Sequence, residues 1–319
     1  MSTEKIPIIA VTGPTASGKT ALSIELAKHY DAEILSFDSM QVYEGMEIGT
    51  AKPVKREMQG IPHHMIGTVK RDESFSVAKY KAEADRIIHD IFSRGKNIVM
   101  VGGTGLYLDS VMNNIELLEG ENDSCVRDRL RAELERVGPE EMHLRLKKID
   151  PKAAESIHPN NTGRVIRALE VYETTGHTMS YQVKNSKKNP SCYNPVYIGL
   201  TAKDREYLYD RINRRVDIML SQGLLYEAEK YLKEGSGKTA RQAICYKELA
   251  PYLLEDAPLP ECIENLKRET RRYAKRQLTW FRRNPDIHWI YIDETPTLSE
   301  QLKCAEGFVD DSEILKKEK

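Results

Sequence analysis

Residues 6–11 form an apolar run, and residues 21–29 that follow them are amphipathic. The first pattern predicts a strand and the second a helix. The alternation recurs, with a strand predicted over 33–37, a helix over 77–94 and a strand over 97–101. Strands separated by helices require right-handed parallel crossovers, so the prediction is an α/β fold whose ligands gather at the carboxyl ends of the strands. From residue 117 to about 194 the character changes to charged helical segments, 126–137 and 140–149, closed by a polar loop at 184–194. Residues 195–200 read as a return to the sheet, and nearly everything from there to about 283 is helix-patterned. The expected organisation is a core built from 1–116 and 195–319 around a helical insertion at 117–194, with a charged, frayed tail at 310–319.

The turn between the first strand and helix carries chemistry. Gly13, Pro14, Thr15, Ala16, Ser17, Gly18, Lys19 and Thr20 read GPTASGKT, the G-x-x-x-x-G-K-[ST] phosphate loop in its strand, loop, helix setting. Glycines let consecutive backbone N–H groups curl around an anion, and the helix points its positive end at the same spot. Lys19 adds a point charge, and Thr20 can hold a phosphate-bridging Mg²⁺. The loop predicts a di- or triphosphate ligand without naming it.

Two further turns fall beside it. Asp38, Ser39, Met40 and Gln41 follow the second strand. Asp38 suits a metal ligand or a general base, and the Gln41 amide offers the donor and acceptor pair that reads an adenine edge. The alternative is a loop in which Asp38 and Ser39 only cap the next turn. GGTG at 102–105 ends the third strand, and Thr104 there can donate to the same anion unless the segment is simply a tight turn. His63 and His64, adjacent in sequence, are expected to shape a loop and not a metal site.

Composition narrows the partners. The 48 Lys and Arg nearly cancel 49 Asp and Glu, for a net charge of -1, so a nucleic-acid footprint has to be local. One candidate is RETRRYAKRQLTWFRR at 268–283, with Arg268, Arg272 and Arg276 at i, i+4, i+8 and the aromatics Tyr273, Trp280 and Phe281 interleaved in the segment. Like charges on one face call for an anion such as a polyphosphate backbone, the alternative being a solvated face whose aromatics pack on the core. A second basic group, Arg205, Arg211, Arg214 and Arg215, has Asp204, Glu206, Asp210 and Asp217 as possible neighbours to pair with. Five scattered cysteines, without a C-x-x-C pair, read as reduced thiols, and no stretch reaches bilayer length or resembles a signal peptide. The expectation is a cytoplasmic protein without a membrane partner.

GPTASGKT, DSMQVY, GTAKP, GIPHHMI, GGTGLYL, RVIRALE and YAKRQLTWFR, in that order, resemble the tRNA dimethylallyltransferases over nearly the whole chain. The resemblance implies a monomeric enzyme with a P-loop-kinase-like core and a helical insertion. It implies transfer from dimethylallyl diphosphate, with Mg²⁺, to N6 of adenosine-37, the adenosine next to the tRNA anticodon. It also makes Asp38 the base, Lys19 and Thr104 its catalytic companions, and Ser39, Met40 and Gln41 contacts to the target nucleotide. Thr104, Arg127, the Arg164 and Arg167 of RVIRALE, and Arg272 and Arg276 are implied to meet tRNA. Gly67, Asn161 and Cys245 depart from the family pattern, where Asp, Asp and Gly are common. The chain lacks the C-terminal zinc finger of eukaryotic members, which resembles the bacterial form. The competing readings are a small-molecule P-loop kinase and a nucleotide-switched RNA-binding protein, the latter without an N-K-x-D guanine-reading tetrapeptide.

Overall fold

The computed structural model describes residues 5–115, 124–185, 190–234 and 243–315. The ends of the expected tail and the middle of the expected polar loop lie outside them. The chain separates into two compact units, one from Met1–Met112 with Cys192–Lys319 and one from Asn113–Ser191.

In the larger unit, six parallel strands, β1 (Ile6–Thr12), β2 (Ala32–Ser36), β3 (His63–His64), β4 (Asn97–Val101), β5 (Tyr193–Thr201) and β6 (Ile287–Tyr291), lie in the order β3-β2-β4-β1-β5-β6. Helices α1 (Lys19–His29), α2 (Lys55–Met58), α3 (Val77–Ser93) and α4 (Gly105–Met112) connect the first half. The smaller unit holds α5 (Ser124–Ile149), α6 (Pro151–Ser156), α7 (Thr162–Thr175) and α8 (Met179–Asn185). After β5 come α9 (Arg205–Ser221), α10 (Leu224–Glu234), α11 (Tyr246–Glu255), α12 (Leu259–Phe281) and, after β6, α13 (Leu298–Asp311).

Side-chain alternation explains why β1 is central. Ile6, Ile8 and Ala10 enter one core while Ile9 and Val11 enter the other, because successive residues of a strand face opposite sides. A strand covered on both faces must be apolar throughout, and the loop at its carboxyl end then sits mid-sheet, where ligands bind. The smaller unit has its own core, including Leu130, Met142, Leu146, Val165 and Leu169. Its long helix α5 breaks at Gly138 (φ 84°, ψ 168°), just before Pro139. That break matches the gap between the two predicted helical segments.

Two elements differ from the sequence reading. His63 and His64 pair with β2 as a two-residue strand and are not a loop, and the His64 ring meets Glu33 at 2.7 Å. Strand β6 is not apparent in the pattern; it begins at Ile287, six residues after Phe281 ends α12.

Candidate active site

The phosphate loop is held by close approach. Gly13 has φ 141°, and a Cβ there would lie 2.3 Å from the Leu200 carbonyl oxygen, so only glycine lets β1 turn against β5. Gly18, at φ 97°, opens α1 with no side-chain cap, which leaves the first N–H groups of the helix for a ligand. Ser17 Oγ and Lys19 Nζ donate to the Pro14 carbonyl at 2.9 and 2.6 Å. Arg211 Nε donates to the Ala16 carbonyl at 2.9 Å, and the Thr15 N–H donates to Gln277 Oε1 at 2.9 Å.

A cavity of about 1030 Å³ opens beside this loop, lined among others by Lys19, Thr20, Asp38, Arg215, Tyr273 and Arg276. Lys19 is pushed down to about 7, by burial first and then by the nearby Arg215, with Asp38 opposing. Burial also lowers Arg215, whose Nε has no hydrogen-bond partner. Among the described residues no carboxylate forms an ion pair with Lys19, Arg211 or Arg215, each of them partly buried. Partly buried cations left in this way are costly unless an anion arrives to neutralise them.

The Asp38 turn lines the same cavity. Asp38 Oδ1 accepts from Met40 N at 2.9 Å and Gln41 N at 3.2 Å, which fixes the carboxylate and leaves Oδ2 for a proton. Ser39 N donates to Thr104 Oγ1 at 3.0 Å, and Thr104 Oγ1 donates to Ser39 Oγ at 3.2 Å. Thr104 therefore props the Asp38 turn from behind. Gln41 Nε2 donates to the Thr50 and Ala51 carbonyls at 3.1 and 3.2 Å, so its amide oxygen alone remains to meet a base.

The other predicted positions are more dispersed. Arg272 is exposed and pairs with Glu269 at 2.6 Å, while Arg276 stacks on Tyr273 with 5.6 Å to the ring centre. Trp280 Nε1 donates to Asp109, and Phe281 is buried, so those two aromatics belong to packing. In the helical unit Arg127 and Arg167 both reach Glu170 Oε2, at 2.7 and 3.0 Å, and Arg164 is exposed. Among the departures, Gly67 (φ 60°) and Cys245 (φ 97°) both occupy left-handed backbone.

Arg211 and Arg215 were not singled out for the site. Pairing with acidic neighbours does not account for them: Asp204 caps α9 and Asp217 binds Lys267. The signal was their i, i+4 spacing, which puts both on one face of α9. Tyr273, noted among the aromatics of the basic helix, lines the cavity, whereas Gln277 is hidden inside a helix read for its charge.

A phosphate loop at the centre of a parallel sheet, with unpaired cations on one side and a fixed carboxylate on the other, defines an α/β phosphate-loop enzyme. The family described as "IPP transferase" matches residues 41–284, and the chain belongs to it. The tRNA dimethylallyltransferase of Acetivibrio thermocellus is 50% identical over 289 residues, covering 90% of this chain and 92% of the relative. That of Bacillus subtilis is 48% identical over 309 residues, 97% of each. The solved tRNA isopentenylpyrophosphate transferase of Bacillus halodurans is similar with a TM-score of 0.70 at 44% identity, over 97% of this chain and 98% of that one. A eukaryotic dimethylallyltransferase solved acting on tRNA gives 0.79 at 31% identity, over 96% and 80%.

Proposed function

We infer that this protein is an enzyme that transfers a dimethylallyl group to tRNA, and we propose dimethylallyl diphosphate as the donor and N6 of adenosine-37 as the acceptor. The observation that carries the chemistry is the cluster of Lys19, Arg211 and Arg215 without carboxylate partners at the phosphate loop. Such a cluster stabilises the charge that builds on a departing diphosphate. In this reading the allylic C–O bond breaks and the diphosphate leaves with the electron pair. The N6 lone pair of adenine closes on the allylic carbon, and Asp38 Oδ2 takes the N6 proton. The base has to leave its stack to reach the carbon, as in other enzymes that work on a base.

Thr20, in the cavity lining, offers a hard hydroxyl oxygen that suits Mg²⁺ shared with phosphate oxygens. Bound there, the ion would neutralise charge on the leaving group. Arg272 and Arg276, and in the helical unit Arg127, Arg164 and Arg167, are proposed to contact tRNA. The protein is proposed to act as a cytoplasmic monomer; among the described residues no helix is long and apolar enough to cross a membrane.

The test is to incubate the protein with unmodified tRNA, Mg²⁺ and either dimethylallyl diphosphate or ATP, and then weigh the RNA. A gain of one dimethylallyl group, only with the allylic donor, is expected. An unchanged RNA mass beside a phosphorylated small molecule would instead favour the kinase.

A further inference from the structure

Gln277 is an anomaly in its helix. Its neighbours Lys275 and Arg276 are exposed, yet Gln277 is only 5% exposed. Its Oε1 accepts from Thr15 N at 2.9 Å and its Nε2 donates to the Gly103 carbonyl at 3.0 Å. The amide orientation is dictated by its partners, because a backbone N–H can only donate and a carbonyl can only accept. Glutamate would lose the donor, leucine both bonds, and asparagine the reach.

Gly103 is shaped to receive this amide. A Cβ at Gly103 would lie 2.1 Å from Gln277 Nε2. The next residue, Thr104, holds Ser39 N, and Ser39 adjoins Asp38. A continuous set of bonds thus runs from the phosphate loop, through one buried amide, to the turn that carries the proposed base. Thr15 N, bonded to Gln277, is also withdrawn from the amides available to an anion.

We propose that Gln277 is a positioning residue that sets the distance between the diphosphate loop and the Asp38 turn, and so aligns the allylic carbon with the adenine amine. The proposal rests on the transfer reading. A displacement of about 1 Å between reacting groups is enough to cost on the order of 100-fold in rate. The loss belongs in the chemical step, because the Gln277 amide, although it lines the cavity, spends its oxygen on Thr15 N and an N–H on the Gly103 carbonyl.

The experiment compares wild type with Gln277→Glu, Gly103→Ala, Gln277→Ala and the Gln277→Ala/Gly103→Ala double variant. Single-turnover transfer is expected to fall by ~10- to 100-fold in each single variant, with dissociation constants for diphosphate and for tRNA within about threefold of wild type. In the double variant Gly103→Ala should add little, since the amide it clashes with is gone. Gln277→Glu should recover relative to wild type as pH falls, because a protonated carboxyl can again donate to Gly103. A merely structural role would lower the melting temperature without that pH-dependent recovery. Wild-type rates in Gln277→Glu and Gly103→Ala, or losses wholly explained by binding, would overturn the proposal. Hydrogen exchange at Thr15 N–H separates this from failure of the transfer reading. If wild type does not alkylate tRNA, that reading falls, and equal Thr15 exchange in wild type and Gln277→Ala would overturn the clamp itself.

Discussion

The Lys19 ammonium donates to the Pro14 carbonyl at 2.6 Å, inside its own loop, and to no carboxylate among the described residues. A diphosphate entering the cavity therefore meets a cation whose hydrogen-bond acceptor is a neutral carbonyl. Burial and Arg215 hold Lys19 at about 7, below the usual 10.5, and the negative ligand will raise it again. Binding should take up a proton above about pH 7, and affinity should fall from pH 7 to 9. Calorimetry at pH 8 in two buffers of different ionisation heat is expected to show this uptake in wild type and to lose it in Lys19→Met. The free protein responds in the opposite sense. Its unfolded chain binds the extra proton between about 7 and 10.5, so the Lys19 contribution makes it more stable as pH rises through that window.

Asp38→Asn separates base from metal ligand. Asparagine keeps an acceptor for Met40 N and Gln41 N, so the turn should persist. A lost base cuts single-turnover transfer by ~100-fold or more while Mg²⁺-diphosphate binding stays near wild type. Rescue of the rate by raised Mg²⁺ would reassign Asp38 to the metal.

Strands β1, β2 and β4 and helices α1 and α3 were legible because those strands are mostly apolar and the phosphate loop marks where the first one ends, whereas the two-residue β3 was too short to leave a pattern. The Asp38 turn and GGTG were legible as neighbours because both follow parallel strands. What the sequence hid depends on contacts across the fold. Arg215 shares the Lys19 cavity only because α9 packs beside the loop, and Gln277 joins residues that lie far apart in the chain. Strand β6, IHWIY, has only two buried positions of its five, which left its pattern weak.

The double substitution Arg272→Ala with Arg276→Ala should weaken tRNA binding similarly across tRNA sequences. The salt dependence should flatten by about one phosphate contact per residue. Because Arg272 already pairs with Glu269, its share should be the smaller of the two. Filter-binding slopes equal to wild type would make this face structural.

Glu170 is 1% exposed and accepts from both Arg127 and Arg167, while its Oε1 has no partner. Glu170→Gln is expected to destabilise the helical unit by about 1–2 kcal/mol, less than a fully buried pair because both arginines are partly exposed. If Arg127 is aimed at tRNA by this carboxylate, tRNA affinity should fall as well. An unchanged melting curve from Glu170→Gln would remove that organising role.

Cys245 sits at φ 97° and ψ -55°, a conformation that costs a residue with a Cβ about 1–3 kcal/mol. Its Sγ recovers part of this by donating to the Gly49 carbonyl at 3.4 Å, and burial pushes the thiol up to about 12, so it remains a protonated donor. Cys245→Gly removes the strain together with the thiol contact. Cys245→Ala removes the contact and keeps the strain. The glycine variant should therefore melt above the alanine variant by about 1–2 kcal/mol in stability, even though glycine carries a larger entropy cost of up to about 1 kcal/mol in ordinary backbone. Thermal unfolding of the two variants side by side checks this, and an alanine variant at least as stable as the glycine one would mean the backbone relaxes without cost.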